Sequence, residues 1–390
     1  MKKRIFSLLL AIAICAAPLG TRARAVELEV PAPAAILMDR ATGTVLFERN
    51  ADEKLAPASV TKVMTLLLVM EAIDSGKISW QNRVTTSEAA AAKGGSQVYL
   101  KVGETMTVEE MVKSVAVASA NDCACALAEL LMGSEPAFVE KMNERAQELG
   151  MENTHFVNCT GLDDGENASE HRTTARDIAV MSRELLGHAE IKKYTTIWMD
   201  TVRDGAFGLS NTNKLVRFYE GTTGLKTGFT SAAGYCLSAS AERDGMELIA
   251  VVLNCKSSQE RFQAARAMLD YGFANYALVS VWPEEQLGQV PVVLGKEKGL
   301  QPEIRGQETL LVDKGKKGEI RRDVSLLPEV SAPVSAGQRL GTLTVRAGDE
   351  ILAELPLVAP RAVERKSFWD LFRELLGRVS MCPEEIVGNA

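Results

Sequence analysis

Histidine is scarce in this chain: only three among 390 residues. His155, His171 and His188 show no metal-ligand spacing, which argues against a metalloenzyme; no metal and no cofactor is expected. Cysteine is also sparse, seven in all. Cys123, Cys125, Cys159, Cys236, Cys255 and Cys382 match neither a zinc site nor a small disulfide framework. Most lie in apolar surroundings, where a cysteine serves as a small buried hydrophobe. No apolar run reaches the ~20 residues of a membrane-spanning helix.

What comes nearest is Ile5–Leu19, preceded by Lys2, Lys3 and Arg4 and followed by Ala23-Arg24-Ala25. That is the layout of a secretory signal peptide over residues 1–25, cleaved before Val26. Cys15 follows Ile14 rather than a small residue and is not read as a lipidation site. Cleavage removes five positive charges and takes the net charge from −7 to −12. So acidic a chain is not expected to bind nucleic acid.

The remainder has ordinary globular composition, 46% apolar and 24% charged, and is long enough for two domains. One stretch organises it. From Val60 to Ile73 apolar residues fall on every side of a helical wheel, the mark of a buried helix. Ser59 and Lys62 stand in its expected first turn, three apart and on one face. An amine at the edge of such a core loses solvation and with it basicity. It can then act as a base toward a neighbouring hydroxyl.

Ala34–Asp39 and Val45–Arg49 flank Ala41-Thr42-Gly43 as a β-hairpin. Residues 80–103 carry little pattern. Thr107-Val108-Glu109-Glu110 is a capping box opening a helix. It breaks at Ser119-Ala120-Asn121-Asp122, and a second helix runs to Leu131. Further helices are expected over Phe138–Leu149 and Thr173–Leu186, separated by a long loop. Strands follow at Leu225–Phe229, Tyr235–Ala241 and Leu248–Asn254, the last two joined by the hairpin signal Asp244-Gly245. A closing helix is expected over Arg261–Leu269. This order predicts an α/β (α+β) domain, an antiparallel sheet flanked by helices. Beyond Trp282-Pro283 short β-like runs predict a small all-β domain. Arg365–Val379 then sorts Phe368, Trp369, Leu371, Phe372, Leu375, Leu376 and Val379 to one side and charges to the other. Such a helix suits a membrane interface; the alternative is docking on its own protein.

Three motifs stand in order: Ser59-Val60-Thr61-Lys62, Ser119-Ala120-Asn121 and Lys226-Thr227-Gly228. Each alone arises often by chance; together they match the S-x-x-K, S-D-N and K-T-G set of penicillin-binding proteins and class A β-lactamases. The chain resembles the low-molecular-weight D-alanyl-D-alanine carboxypeptidases, the penicillin-binding protein 5-like serine peptidases. His155-Phe156, Thr160-Gly161-Leu162, His171–Asp177, Asn211-Thr212-Asn213 and Gly224–Gly228 extend the likeness.

The resemblance implies Ser59 as nucleophile, Lys62 as base and Ser119 as proton relay. It implies Asn121, Lys226, Thr227 and Arg261 as substrate-binding residues, with the backbone N–H groups of Ser59 and Phe229 as oxyanion hole. A surface salt bridge is the other reading of Arg261. Phe229 stands where some relatives carry His, and Ala120 where Gly is commoner. The implied boundaries are 26–280 for a catalytic domain, 281–362 for the β domain and 363–390 for a membrane-anchoring segment. The implied substrate is the peptidoglycan stem peptide, the inhibitors β-lactams, and the location the extracytoplasmic face of a bacterial membrane. A class A-like β-lactamase calls for a Glu-x-x-Leu-Asn loop, which the sequence between Asn121 and Lys226 does not contain. A non-catalytic cell-wall or β-lactam-binding protein is the other alternative.

Overall fold

The computed structural model describes residues 28–165 and 167–380, with side chains to residue 377. The expected signal peptide and Cys382 lie outside the described residues. Strands β1 (Ala34–Asp39) and β2 (Val45–Arg49) form the hairpin at the expected bounds. With β3 (Thr222–Thr230), β4 (Gly234–Arg243) and β5 (Met246–Cys255) they build one antiparallel sheet. Its order is β2-β1-β5-β4-β3, so β3 lies at an edge.

Alternation along the strands divides the core into two layers. Ile36, Met38, Ile249 and Val251 face the helical cluster, whereas Leu37, Leu248, Ala250 and Val252 face the other side. The helical side holds α1 (Lys62–Asp74), α2 (Val108–Ala118), α3 (Asn121–Met132), α4 (Glu135–Glu148) and α5 (Ala175–Leu185). On the far side lies α6 (Ser258–Asn275), which closes on the sheet at Gly272. A Cβ there would stand 2.4 Å from Leu248 Cδ1. The predicted helix-flanked antiparallel sheet is what the structure holds.

Three local readings need correction. The opening helix begins at Lys62 rather than Val60, because Ala58–Thr61 forms a 3-10 turn. Ala58 is left-handed (φ 49°), and Thr61 Oγ1 donates to its carbonyl at 2.8 Å. The closing helix is longer than Arg261–Leu269, because the Ser257 side chain caps it by accepting Glu260 N–H. Residues 80–103 and 199–210 hold structure that their pattern did not announce. Arg83–Thr85 pairs with Thr105–Thr107, and Met199–Val202 pairs with Phe207–Ser210. These ribbons are three or four residues long and half exposed, too short to show alternation.

After α6, Tyr276–Ser280 pairs with Thr309–Asp313 and leads into an all-β unit. Its largest sheet includes Ile320–Leu326, Arg339–Ala347 and Glu350–Val358 over a core of Leu343, Val345, Leu355 and Leu357. Helix α7 (Phe368–Ser380) follows. No helix of the described residues is long and apolar enough to cross a membrane.

Candidate active site

The turn that carries Ser59 is held by backbone against backbone. A Cβ on Gly161 would stand 1.8 Å from the Ala58 carbonyl oxygen; one on Gly228 would stand 3.0 Å from Ser59 N and 2.8 Å from Pro57 O. Glycine at both positions therefore lets a loop and strand β3 close on this turn. His171 locks it further. His171 Nδ1 accepts Val157 N–H at 3.1 Å, so Nε2 carries the proton and donates to Thr61 Oγ1 at 2.8 Å. Burial pushes His171 down to about 4, so the ring is neutral in this role.

Lys62 follows directly. Its Nζ lies 2.9 Å from Ser59 Oγ and donates to the Thr160 carbonyl at 2.7 Å. The side chain is fully buried. Burial brings its pKa down to about 7, partly opposed by Cys159 and Asp122. A hydroxyl beside an amine that sheds its proton near neutrality has the geometry and the charge by which a nucleophile can be activated.

The second motif lies at the junction of α2 and α3. Ser119 ends α2 in left-handed backbone (φ 65°) and is buried with Asn121. Asn121 N–H donates to Ser96 O, and its Nδ2 to Gly94 O, each at 2.7 Å. Its Oδ1 is buried and has no hydrogen-bond partner among the described residues. Next to it, the buried Asp122 carboxylate accepts the N–H groups of Val98 and Leu100 at 3.1 and 3.0 Å. Arg203 donates to the carbonyls of Val98 and Tyr99. The loop beside Asn121 is thereby held at N–H and carbonyl groups alike.

The third motif lies on edge strand β3. Lys226 is buried, and its Nζ donates to Thr227 O at 2.9 Å. Burial, Lys62 and Arg261 together hold its pKa well below the usual lysine range. Thr227 Oγ1 donates to Thr212 Oγ1 at 2.7 Å. Phe229 is 53% exposed and lies 4.3 Å from Tyr235, ring to ring. Arg261 is neither at the surface nor in an ion pair among the described residues. Its Nη1 donates to the carbonyls of Gly228 at 2.9 Å and Cys236 at 3.3 Å, and its guanidinium stacks over Tyr235.

Ser59 and Lys62 therefore meet directly, Gly228 presses on Ser59, and Lys226 is close enough to feel both Lys62 and Arg261. Thr160 O, Asp122 and the Thr61–His171 pair escaped residue-by-residue reading. Thr160 and His171 stand in segments that carried the family likeness, yet a backbone carbonyl has no sequence signature.

Comparison with known proteins bears on this arrangement. Residues 21–257 match the family described as D-alanyl-D-alanine carboxypeptidase, and residues 281–365 match the C-terminal domain of penicillin-binding protein 5. The chain is 42% identical over 359 residues to the D-alanyl-D-alanine carboxypeptidase DacF of Bacillus subtilis, covering 91% of each chain. Penicillin binding protein 5 of Haemophilus influenzae superposes with a TM-score of 0.74 at 29% identity, over 86% of this chain and 98% of that one. Penicillin-Binding Protein D2 of Listeria monocytogenes, in its ampicillin-bound form, gives 0.58 at 33% identity, over 63% and 99%.

Proposed function

The chain belongs to the D-alanyl-D-alanine carboxypeptidase family, and on that premise we propose that Ser59 and Lys62 cut the terminal D-alanine from peptidoglycan stem pentapeptides. It is a serine-type D-Ala-D-Ala carboxypeptidase, a penicillin-binding hydrolase of the cell wall; neither the β-lactamase nor the non-catalytic reading is favoured. The observation that carries the residue roles is the 2.9 Å approach of a buried, weakly basic Lys62 to the Ser59 hydroxyl.

As Ser59 Oγ bonds to the penultimate D-alanine carbonyl carbon, its proton passes to Lys62 Nζ. The carbonyl oxygen gains charge facing the N–H groups of Ser59 and Phe229. The close packing of Gly228 on Ser59 N supports that pairing. The C–N bond then breaks, and the departing amine takes a proton from Lys62 by way of Ser119. Water, deprotonated by Lys62, attacks the acyl-Ser59 ester; the C–O bond breaks, the shortened peptide leaves, and Lys62 returns the proton to Ser59 Oγ. The substrate lies along the free edge of β3 as an added strand. The orphan Asn121 Oδ1 accepts its amide N–H.

Lys226 and Thr227 receive the terminal carboxylate. That carboxylate restores the charge on Lys226 which burial opposes, and a charged Lys226 in turn favours neutral Lys62. Arg261 adds positive field and, through Gly228 O, fixes the strand that carries the oxyanion donor. β-Lactams open on the same serine.

The four-part division at residues 25, 280 and 362 is part of this proposal. The enzyme is exported, and α7 rests on the membrane through Phe368, Trp369, Leu375 and Leu376, all exposed in the structure. Purified protein incubated with diacetyl-Lys-D-Ala-D-Ala is expected to release D-alanine, and Lys226→Ala to raise KM sharply. Folded protein that releases none would sink this reading.

A further inference from the structure

Cys125, Glu135 and Cys159 come from three segments that the sequence keeps apart, and they converge behind the proposed site. One ligand atom of each, two Sγ and a carboxylate oxygen, lies within 4.8 Å of the others, and this is the one such group among the described residues. We propose that these three residues bind a single thiophilic divalent cation of the zinc type, in a structural rather than a catalytic site.

The Glu135 carboxylate is already divided for this task. Its Oε1 accepts both the N–H and the thiol of Cys159, each at 3.2 Å, while its Oε2 pairs with Lys93. A cation takes the Oε1 side, and Lys93 remains as the outer partner that orients the ligand. The charges balance in the same way. Two thiolates and one carboxylate around a dication leave a single negative charge, which the Lys93 ammonium offsets. Water completes the coordination; Glu129 Oε1, 3.8 Å from Cys125 Sγ and held by Ser87 Oγ at 2.9 Å, lies outside the group.

A tetrahedral zinc bound at ~2.0–2.3 Å sets its ligand atoms roughly 3.3–3.8 Å apart; Cys159 Sγ and Glu135 Oε1, at 3.2 Å, already stand near that spacing, and the third ligand atom lies within 4.8 Å of both. Both thiol protons pass to solvent as the Zn–S bonds form, with no change of oxidation state. Sulfur ligands select zinc or cadmium over magnesium or calcium. Lys93 also borders a cavity of about 560 Å³, lined by Asn158 and Thr160 among others.

The position gives the site a purpose. Cys125 lies one turn beyond Asn121 on α3, Glu135 opens α4, and Cys159 precedes Thr160, whose carbonyl receives Lys62. A bound cation ties these segments together without touching a reacting atom.

The test is a Cd²⁺ titration of the chelator-stripped, reduced protein, followed by thiolate-to-metal charge-transfer absorption. One equivalent should saturate the band, and Zn²⁺ should displace it. At a hundredfold excess over Kd, Zn²⁺ should raise the unfolding temperature by roughly 5 °C. Cys125→Ser and Glu135→Gln should each weaken binding by at least about tenfold while leaving penicillin acylation unchanged. Both thiols are buried, so labelling reports their opening: in mild urea, Zn²⁺ should shield Cys125 and Cys159 of the unmutated protein from iodoacetamide, a readout that does not depend on a variant folding. The proposal is overturned by the absence of a band, by a band undiminished in the Cys125→Ser/Cys159→Ser protein, or by absence of shielding. It also fails if protein isolated without reductant carries a Cys125–Cys159 disulfide.

Discussion

Helices α1 and α7 are both thirteen residues long and rich in large apolar side chains, yet they meet opposite surroundings. In α1 every residue from Lys62 to Met70 is buried. In α7 Phe368, Trp369, Phe372 and Leu375 are exposed, with rings stacked along the outside. The Lys62 helix is the more hydrophobic of the two, and the distribution around the helix differs as well. Apolar residues on all sides demand a core, and a core strips water from any amine placed at its mouth. Apolar residues on one side, with charges opposite, fit a boundary between two phases. One helix lowers the basicity of Lys62, the proposed base, and the other is proposed to tether the enzyme.

The sharpest way to break the contrast is to remove the amine. Lys62→Ala should cut D-alanine release and penicillin acylation by roughly 10³-fold or more, with the fold retained in circular dichroism. Lys366→Ala, two residues before the tail helix, should change neither rate.

Core deletion comes next. Leu67→Ala, on fully buried α1, should destabilise the protein by about 2–5 kcal/mol in denaturant unfolding. Leu375→Ala on α7 should cost less than about 0.5 kcal/mol. Truncation before Arg365 should release the protein from anionic vesicles with catalysis intact. Unchanged vesicle partitioning would contradict the tether.

The smallest effect is graded. Protonated Lys62 cannot accept the Ser59 proton, and burial lowers its pKa to about 7. Acylation should therefore rise about tenfold per pH unit below that point and level off above it. A flat rate through the acidic range would mean that Lys62 is not the base.

Much of this architecture was legible because its signals are strong and local. The hairpin Ala34–Arg49, the Thr107 capping box and the all-round apolar run each specify one element. The three motifs could be read together because each supplies side chains with distinctive chemistry. What escaped depends on approach between distant segments. The Thr160 carbonyl, the neutral His171 that braces Thr61, and the Cys125–Glu135–Cys159 group exist only once loops have closed. For Arg261 the surface salt bridge is the reading that fails, for a related reason. Its partners are the carbonyls of Gly228 and Cys236, backbone groups that no side-chain pattern betrays. The α-helix begins at Lys62, two residues after the expected Val60, because left-handed Ala58 is invisible until Gly161 packs on it.

The central claim is that the hydroxyl beside Lys62 is the one that becomes acylated. Intact-mass measurement after penicillin treatment, followed by peptide mapping, addresses it directly. The expected result is a single penicilloyl adduct on the peptide containing Ser59, absent from Ser59→Ala protein of native fold. An adduct on another peptide, or one that survives Ser59→Ala, would contradict the account.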